Sequence, residues 1–259
     1  MAGRTDLEQL VYQMSADVRR LEAANKRALG EVNKSANAMQ RRYDRLAAEA
    51  GRDFGRMSLA AGVAFGAITG YAIKAASDAE ETANAFRVAF GDLTTRADDF
   101  ARSYSGNVGR ALDEVQGRMA RTQLVLTGVG VSAEQALAMT RRITERAVDL
   151  GSLWNVQDAE AFQAVLSGIA GEAEPLKKFG VALNEAALKA ELMRLGFKGN
   201  ASQAPEAAKA IARLNIILAS TTSAQGDAIR TMDGLSNQTK RAQAEFRDAA
   251  VELGRNFLP

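Results

Sequence analysis

From Leu7 to Leu46 the apolar residues recur in alternating steps of four and three. Placing Leu7, Met14, Leu21 and Ala28 at heptad position d puts Val11, Val18, Asn25, Val32, Met39 and Leu46 at position a, and charged residues fill the other faces. A spacing of about 3.5 residues predicts a left-handed coiled coil in residues 1–55. Asn25 at an a position would set register and copy number at some cost in stability. Ala28, Ser35 and Arg42 weaken the second half of the seam. A single amphipathic helix on a globular surface is the alternative reading of the pattern. Length favours the coil, because about 45 helical residues reach ~70 Å.

Residues 56–76 change character. Between Arg56 and Lys74 there is no charge, and Ser58, Gly62, Gly66 and Gly70 recur every fourth residue. Positions four apart share a helix face, so these small side chains would form a groove for a second backbone. Leu59, Val63, Phe65, Ile68 and Ile73 lie on the opposite face. The segment suits a buried helix in an oligomer or a membrane-inserted one. At about 17 residues it stands at the lower edge of what spans a bilayer.

After Ser77, which with Glu80 reads as a capping box, wider apolar faces predict a packed helical body over residues 77–259. Helices are expected at 78–90, 94–104, 110–127, 133–150, 157–168, 184–195, 205–221 and 227–256. Ser132 with Gln135 reads as a second capping box, Gly151 as a helix stop and Asp158 as a first-turn acid. Pro205 stands where a first-turn proline is tolerated. Trp154 is expected to plug the core. The run from Val125 to Val131, which contains Gly128 and Gly130, reads as a turn. The predicted fold class is all-α: coiled coil, glycine-rich hydrophobic helix, then a multi-helix globular region.

Composition removes several chemistries. The 259 residues include no cysteine and no histidine, which excludes disulfides, thiolate sites, Ser-His-Asp catalysis and histidine-bound zinc. With 33 basic and 31 acidic residues the chain gives no electrostatic argument for nucleic acid. The acidic pairs Glu80/Glu81, Asp98/Asp99 and Glu172/Glu174 read as solvated faces or first-turn acids rather than acid and base. Gly168 and Gly171 lack the preceding strand and the Gly-Lys-Ser/Thr of a phosphate loop. Neither an enzyme nor a cofactor is expected.

The run Leu166-Ser167-Gly168-Ile169-Ala170-Gly171-Glu172-Ala173-Glu174-Pro175-Leu176-Lys177-Lys178-Phe179-Gly180-Val181 resembles the N-terminal region of tail tape measure proteins from long-tailed bacteriophages, prophages and gene-transfer particles. So do Arg213 to Leu218, Thr221, the Ala224-Gln225-Gly226-Asp227 turn and the closing Leu253 to Pro259. On physical grounds these motifs are structural. Pro175 stiffens a turn entry, Leu176 and Phe179 face one core, and Gly180 closes the turn in a left-handed conformation. Lys177 and Lys178 would stay in solvent or cap carbonyls. Gly226 supplies a bend, with Asp227 as the next N-cap.

The resemblance implies a virion protein inside the tail tube, made in the host cytoplasm, that sets tail length and assists genome ejection across the host membrane. It implies self-association as a trimer or hexamer, whereas valine at a with leucine at d favours a dimer. The implied partners are the tube protein, tip or hub proteins and assembly chaperones, with DNA only as passing cargo. Wholly helical, the chain reaches only ~390 Å, which fits a short tail or the N-terminal piece of a longer ruler. The rival reading is a helical pore-former or effector built on residues 57–73. In the tape measure reading, Gly66→Leu is expected to impair particle assembly or DNA delivery far more than Ala67→Leu. Equal yields and titres for the two variants would remove the groove argument.

Overall fold

The computed structural model describes the backbone of residues 54–256 and the side chains of residues 70–256. The coiled-coil seam of Leu7, Val11, Met14, Val18, Leu21, Asn25, Val32, Met39 and Leu46 lies outside the described residues. The chain divides into two units, Met1–Ala67 and Ile68–Pro259. The described part of the first is helical backbone, and the account below concerns the second.

Every regular element among the described residues is helical. The helices are α1 (Phe54–Phe90), α2 (Thr94–Val108), α3 (Leu112–Gly128), α4 (Ala133–Leu153), α5 (Asp158–Ala170), α6 (Glu185–Arg194), α7 (Glu206–Ser220), α8 (Asp227–Arg230) and α9 (Leu235–Arg255). A 3₁₀ segment, Glu174–Phe179, links α5 to the chain before α6. The all-α expectation holds for these residues, with differences of boundary.

First, no helix begins at Ser77. The helix runs unbroken through it, because Ala72, Ala75 and Ala79 pack as one face against Ala250 and Val251 of α9. Lys74 and Asp78 add an exposed pair at 2.7 Å across one turn. Second, the helix expected over 227–256 is two. α8 ends after Arg230, and α9 starts behind Gly234. Gly151 does not stop α4, which continues to Leu153. Trp154 follows that end half-exposed, at 51%, and plugs nothing. Ser132 does occupy the N-cap position of α4, but its hydroxyl meets Gln135 Oε1 at 3.1 Å rather than a backbone N–H. Pro205 takes the N-cap position of α7.

The core is organised around α4, whose side chains are buried on nearly every face. On one side Ile143, Ala147 and Leu150 join Phe162, Val165 and Ile169 of α5 and Leu214 and Ile217 of α7. On the other, Leu137 and Val148 join Phe86 and Phe90 of α1, Tyr104 and Val108 of α2, and Val115 and Met119 of α3. Helix α4 serves both sides by lining a wide buried face with small and large apolar residues and buried threonines, and it keeps a narrow exposed stripe at Glu134, Ala138, Arg142 and Glu145.

Two glycines mark where backbones approach. A Cβ on Gly168 would lie 2.2 Å from Leu176 Cδ1, so the 3₁₀ segment rests directly on α5. A Cβ on Gly254 would lie 2.0 Å from the Ala72 carbonyl oxygen. Gly70, expected to line a groove, is exposed with nothing within 4 Å of where its Cβ would be. Gly254→Ala is therefore expected to destabilise the protein by about 1–3 kcal/mol through overpacking. Gly70→Ala is expected to stabilise it by up to ~1 kcal/mol through helix propensity. Urea denaturation of both variants checks the pair, and a neutral Gly254→Ala would disprove the close helix crossing.

Candidate functional site

The motif residues of the sequence are brought together around α5 and α7. Gly171 ends α5 with φ of +111°, a left-handed cap that only glycine adopts without strain. Its bare Cα lets the guanidinium of Arg213 approach, and Arg213 Nη1 donates to the Ile169 carbonyl at 3.0 Å. Pro175 opens the 3₁₀ segment, Leu176 and Phe179 are buried in the core, and Gly180 closes the segment at φ +76°. Lys177 and Lys178 stay exposed and pair with Glu174 and Glu160 respectively. These roles match the sequence reading.

The Gln225-Gly226-Asp227 turn differs in one respect. Gly226 supplies the bend at φ +73° and is itself the N-cap, while Asp227 is the first residue of α8. The cap comes from elsewhere: the buried Asp149 of α4 accepts from the N–H of Gly226 at 2.7 Å and of Ala228 at 3.2 Å. Three residues before it on the same helix, Arg146 donates to the carbonyl and hydroxyl of Thr221 and reaches Gln225. Arg146 and Asp149 thus clamp the whole α7–α8 connection onto α4. Burial pushes the Asp149 carboxyl above its ordinary range, and the two N–H donors and Arg146 partly offset this.

A second network is centred on Arg110, which is 5% exposed. Its guanidinium pairs with Asp158 at the start of α5, and donates to the Val108 carbonyl at 2.7 Å and Asn237 Oδ1 at 3.0 Å. Asp158 also accepts from Lys240 of α9 at 2.7 Å. Lys240 donates further to the carbonyls of Val156 at 2.8 Å and Gly151 at 3.2 Å. Asn237 donates to Ser152 Oγ at 2.8 Å and Thr231 Oγ1 at 3.0 Å. Asp158 is a first-turn acid as expected, but its partners are two cations far away in sequence. Nearby, Arg247 of α9 holds Asp113 of α3 through contacts at 2.7–3.0 Å.

Next to the clamp lies a cavity of about 440 Å³, walled by Phe100 and Tyr104 of α2 and by Arg142, Glu145 and Asp149 of α4. Burial raises the Glu145 carboxyl and the Tyr104 phenol, whose hydroxyl donates to the Glu145 carbonyl at 3.4 Å. Both oxygens of Asp149 are already engaged by backbone, so this acid holds the start of α8. The acidic pairs of the sequence face solvent or arginine: Asp98, for example, accepts from Arg102 at 2.6 Å and Gln116 at 2.7 Å. Among the described residues no group of three or more acids could hold a metal ion.

The expected helix-packing residues Ser58, Gly62, Phe65, Gly66 and Gly70 all fall on the helical backbone of α1, and of these only Gly70 is described beyond its backbone. The expectation of a transmembrane helix is not met: among the described residues no helix is long and apolar enough to cross a membrane. Sequence reasoning missed Arg110, Arg146, Asp149, Asn237 and Lys240. Arg110 lies in the connection before α3 and the other four on otherwise ordinary helices, and each has a partner 48 or more residues away.

No protein-family model matches the chain, and neither a curated protein nor a solved structure matches it.

Asp149→Ala is expected to cost about 2–4 kcal/mol in urea denaturation at neutral pH, because the N–H groups of Gly226 and Ala228 lose their acceptor. The raised carboxyl of Asp149 means that the folded protein binds this proton more readily than the unfolded chain. Its contribution therefore grows as pH falls from neutral through the folded-state value toward the ordinary aspartate value near ~4. The gap in stability between wild type and Asp149→Asn, which cannot titrate, is expected to widen over that window. A gap that narrows on acidification would contradict the assignment.

Proposed function

We propose that the protein is a structural assembly protein of the tail tape measure kind, which lies in the lumen of a phage-like tail tube and serves as a ruler while tube subunits polymerise around it. Copies associate side by side, as a trimer or hexamer. The tube protein, tip or hub proteins and assembly chaperones are its partners, and DNA passes only after it has left. On infection the protein leaves ahead of the DNA and assists genome ejection across the host membrane.

The observation that carries this reading is the Glu174–Val181 run, whose resemblance to the tape measure region is physically coherent. Proline, two buried apolar residues and a left-handed glycine lock a short turn onto Gly168 and Arg213, residues of the same resemblance. The long α1 supports it too. Thirty-seven residues of uninterrupted helix reach ~55 Å, and rise per residue converts chain length to distance linearly, which a ruler requires. The polar side chains of the body support a structural role as well, since buried Arg110, Arg146, Asp149, Asp158 and Asn237 satisfy helix ends and each other. A near-neutral chain would also release departing DNA, whereas a strongly basic one would hold it.

Insertion of whole heptads between Leu7 and Leu46 is expected to lengthen tails by ~10 Å per heptad if that segment belongs to the ruler. Electron micrographs of negatively stained particles give the length distribution directly. Tails of unchanged length would confine the segment to anchoring. Failure of the protein to enter tails at all, when co-produced with the tube and chaperone proteins of its operon, would sink the proposal.

A further inference from the structure

Helix α9 carries two seams. Asn237, Lys240, Ala244, Arg247, Val251 and Gly254 follow one another in steps of three and four and face the body, meeting the Arg110 network, Asp113 and α1. Leu235, Thr239, Ala242, Phe246, Ala249 and Leu253 also alternate by four and three, on the opposite side, and all six are exposed. Leu235 is 82% exposed, Phe246 62% and Leu253 43%. A spacing of about 3.5 residues is the signature of a helix that packs lengthwise against another helix. Within the described chain the inward seam packs along the body, whereas the outward one stays exposed, with the Tyr71 ring against Phe246.

We propose that the outward seam of α9 pairs antiparallel with the same seam of a second copy of this chain. The argument for that occupant is self-complementarity. With the two helices antiparallel about a two-fold axis, Leu235 comes level with Leu253 of the second copy, Thr239 with Ala249, and Ala242 with Phe246. Every large residue inside the seam then meets a small one, and leucine pairs close both ends. A parallel arrangement would set Phe246 against Phe246 between layers of alanine against alanine. That alternation of bulge and void is what dense packing disfavours.

The flank agrees. Arg241, which pairs with Glu245 of its own helix at 2.9 Å, falls in the antiparallel register between Glu245 and Asp248 of the second copy. In the parallel register it would lie level with Arg241. Complementary rim charges of this sort select orientation more than they add affinity. Tyr71 stacks on Phe246 with ring centroids 5.6 Å apart and steadies the largest side chain of the seam at its edge. The two-fold closes on itself, because each copy offers the same patch. Among the described residues the body lies behind the inward seam. Six layers make a short contact, so the pair forms at concentrations on the order of 10–100 μM. This inference rests on the described residues of α9 and is independent of the tail reading.

The full chain has no cysteine, so introduced thiols are unique. Thr239→Cys and Ala249→Cys proteins are purified separately and treated with a short bis-maleimide, alone and mixed. The expected result is a covalent dimer in the mixture and little in either protein alone. Cross-linking of each protein with itself would establish parallel pairing and overturn the proposal, and so would no cross-linking in any sample. Adding Phe246→Glu to both proteins is expected to reduce the mixed dimer at least tenfold while leaving the melting temperature unchanged, as befits an exposed position. Ala242→Glu, at the facing layer, is expected to do the same. Undiminished cross-linking in both backgrounds would overturn the seam. Tail length and incorporation into tails are read separately, so loss of this contact and failure of the ruler are distinguishable.

Discussion

The pairing of Arg110 with Asp158, completed by Lys240 and Asn237, is the contact on which the arrangement of the body depends. Those four residues come from the loop before α3, the first turn of α5 and two turns of α9, and the carbonyls they engage end α2 and α4. Charges removed from water this completely are stable only when each finds partners, and the desolvation cost rules out partial solutions. The pair therefore acts less as a source of stability than as a register mark. If α9 slid by one turn, buried Asp158 would lose the Lys240 donor and Arg110 the Asn237 acceptor. A few polar contacts thus fix where apolar helices, which could pack in several registers, come to rest.

The same logic recurs at the other end of α4. Arg146 and Asp149 hold the α7–α8 turn by its backbone, and the only glycine of that turn provides the left-handed bend they require. Between these two polar anchors α4 is buried on both sides, with α5 and α7 on one flank and α1, α2 and α3 on the other. Close approach needs small residues as well as anchors. Gly168 admits Leu176, Gly171 admits Arg213, Gly151 admits Asp158 and Gly254 admits the Ala72 carbonyl. Polar anchors, glycine contacts and a doubly buried helix describe a scaffold held at many points.

A scaffold of this kind suits assembly work. Its exposed apolar residues are ordered along helices rather than gathered in a cleft, and the clearest row runs the length of α9. A helix with one seam for its own chain and one for another couples the integrity of the body to association. The Arg110 network holds the inner seam in register, and that fixes the rotation of the outer one. Any partner helix laid along α9 would accordingly read the state of the buried charges behind it.

Periodicity alone gave the helical class and most element boundaries, because an amphipathic face is a local property that repeats every turn. The turn chemistry of Pro175, Gly180 and Gly226 was legible for the same reason: a left-handed or φ-restricted residue announces itself wherever the chain places it. The unbroken passage of α1 through Ser77 was not legible, since a capping box is overruled when the alanines around it are buried against a distant helix. Nor was the exposure of Trp154, which depends on where α4 happens to end relative to its neighbours. The polar anchors were hidden most completely. Arg110, Asp149 and Lys240 look like any surface charge until tertiary contacts remove their water, and the partners that make burial tolerable lie dozens of residues away. Sequence determined which segments are helices and which face of each is apolar; only the folded chain decided which charges those faces would enclose.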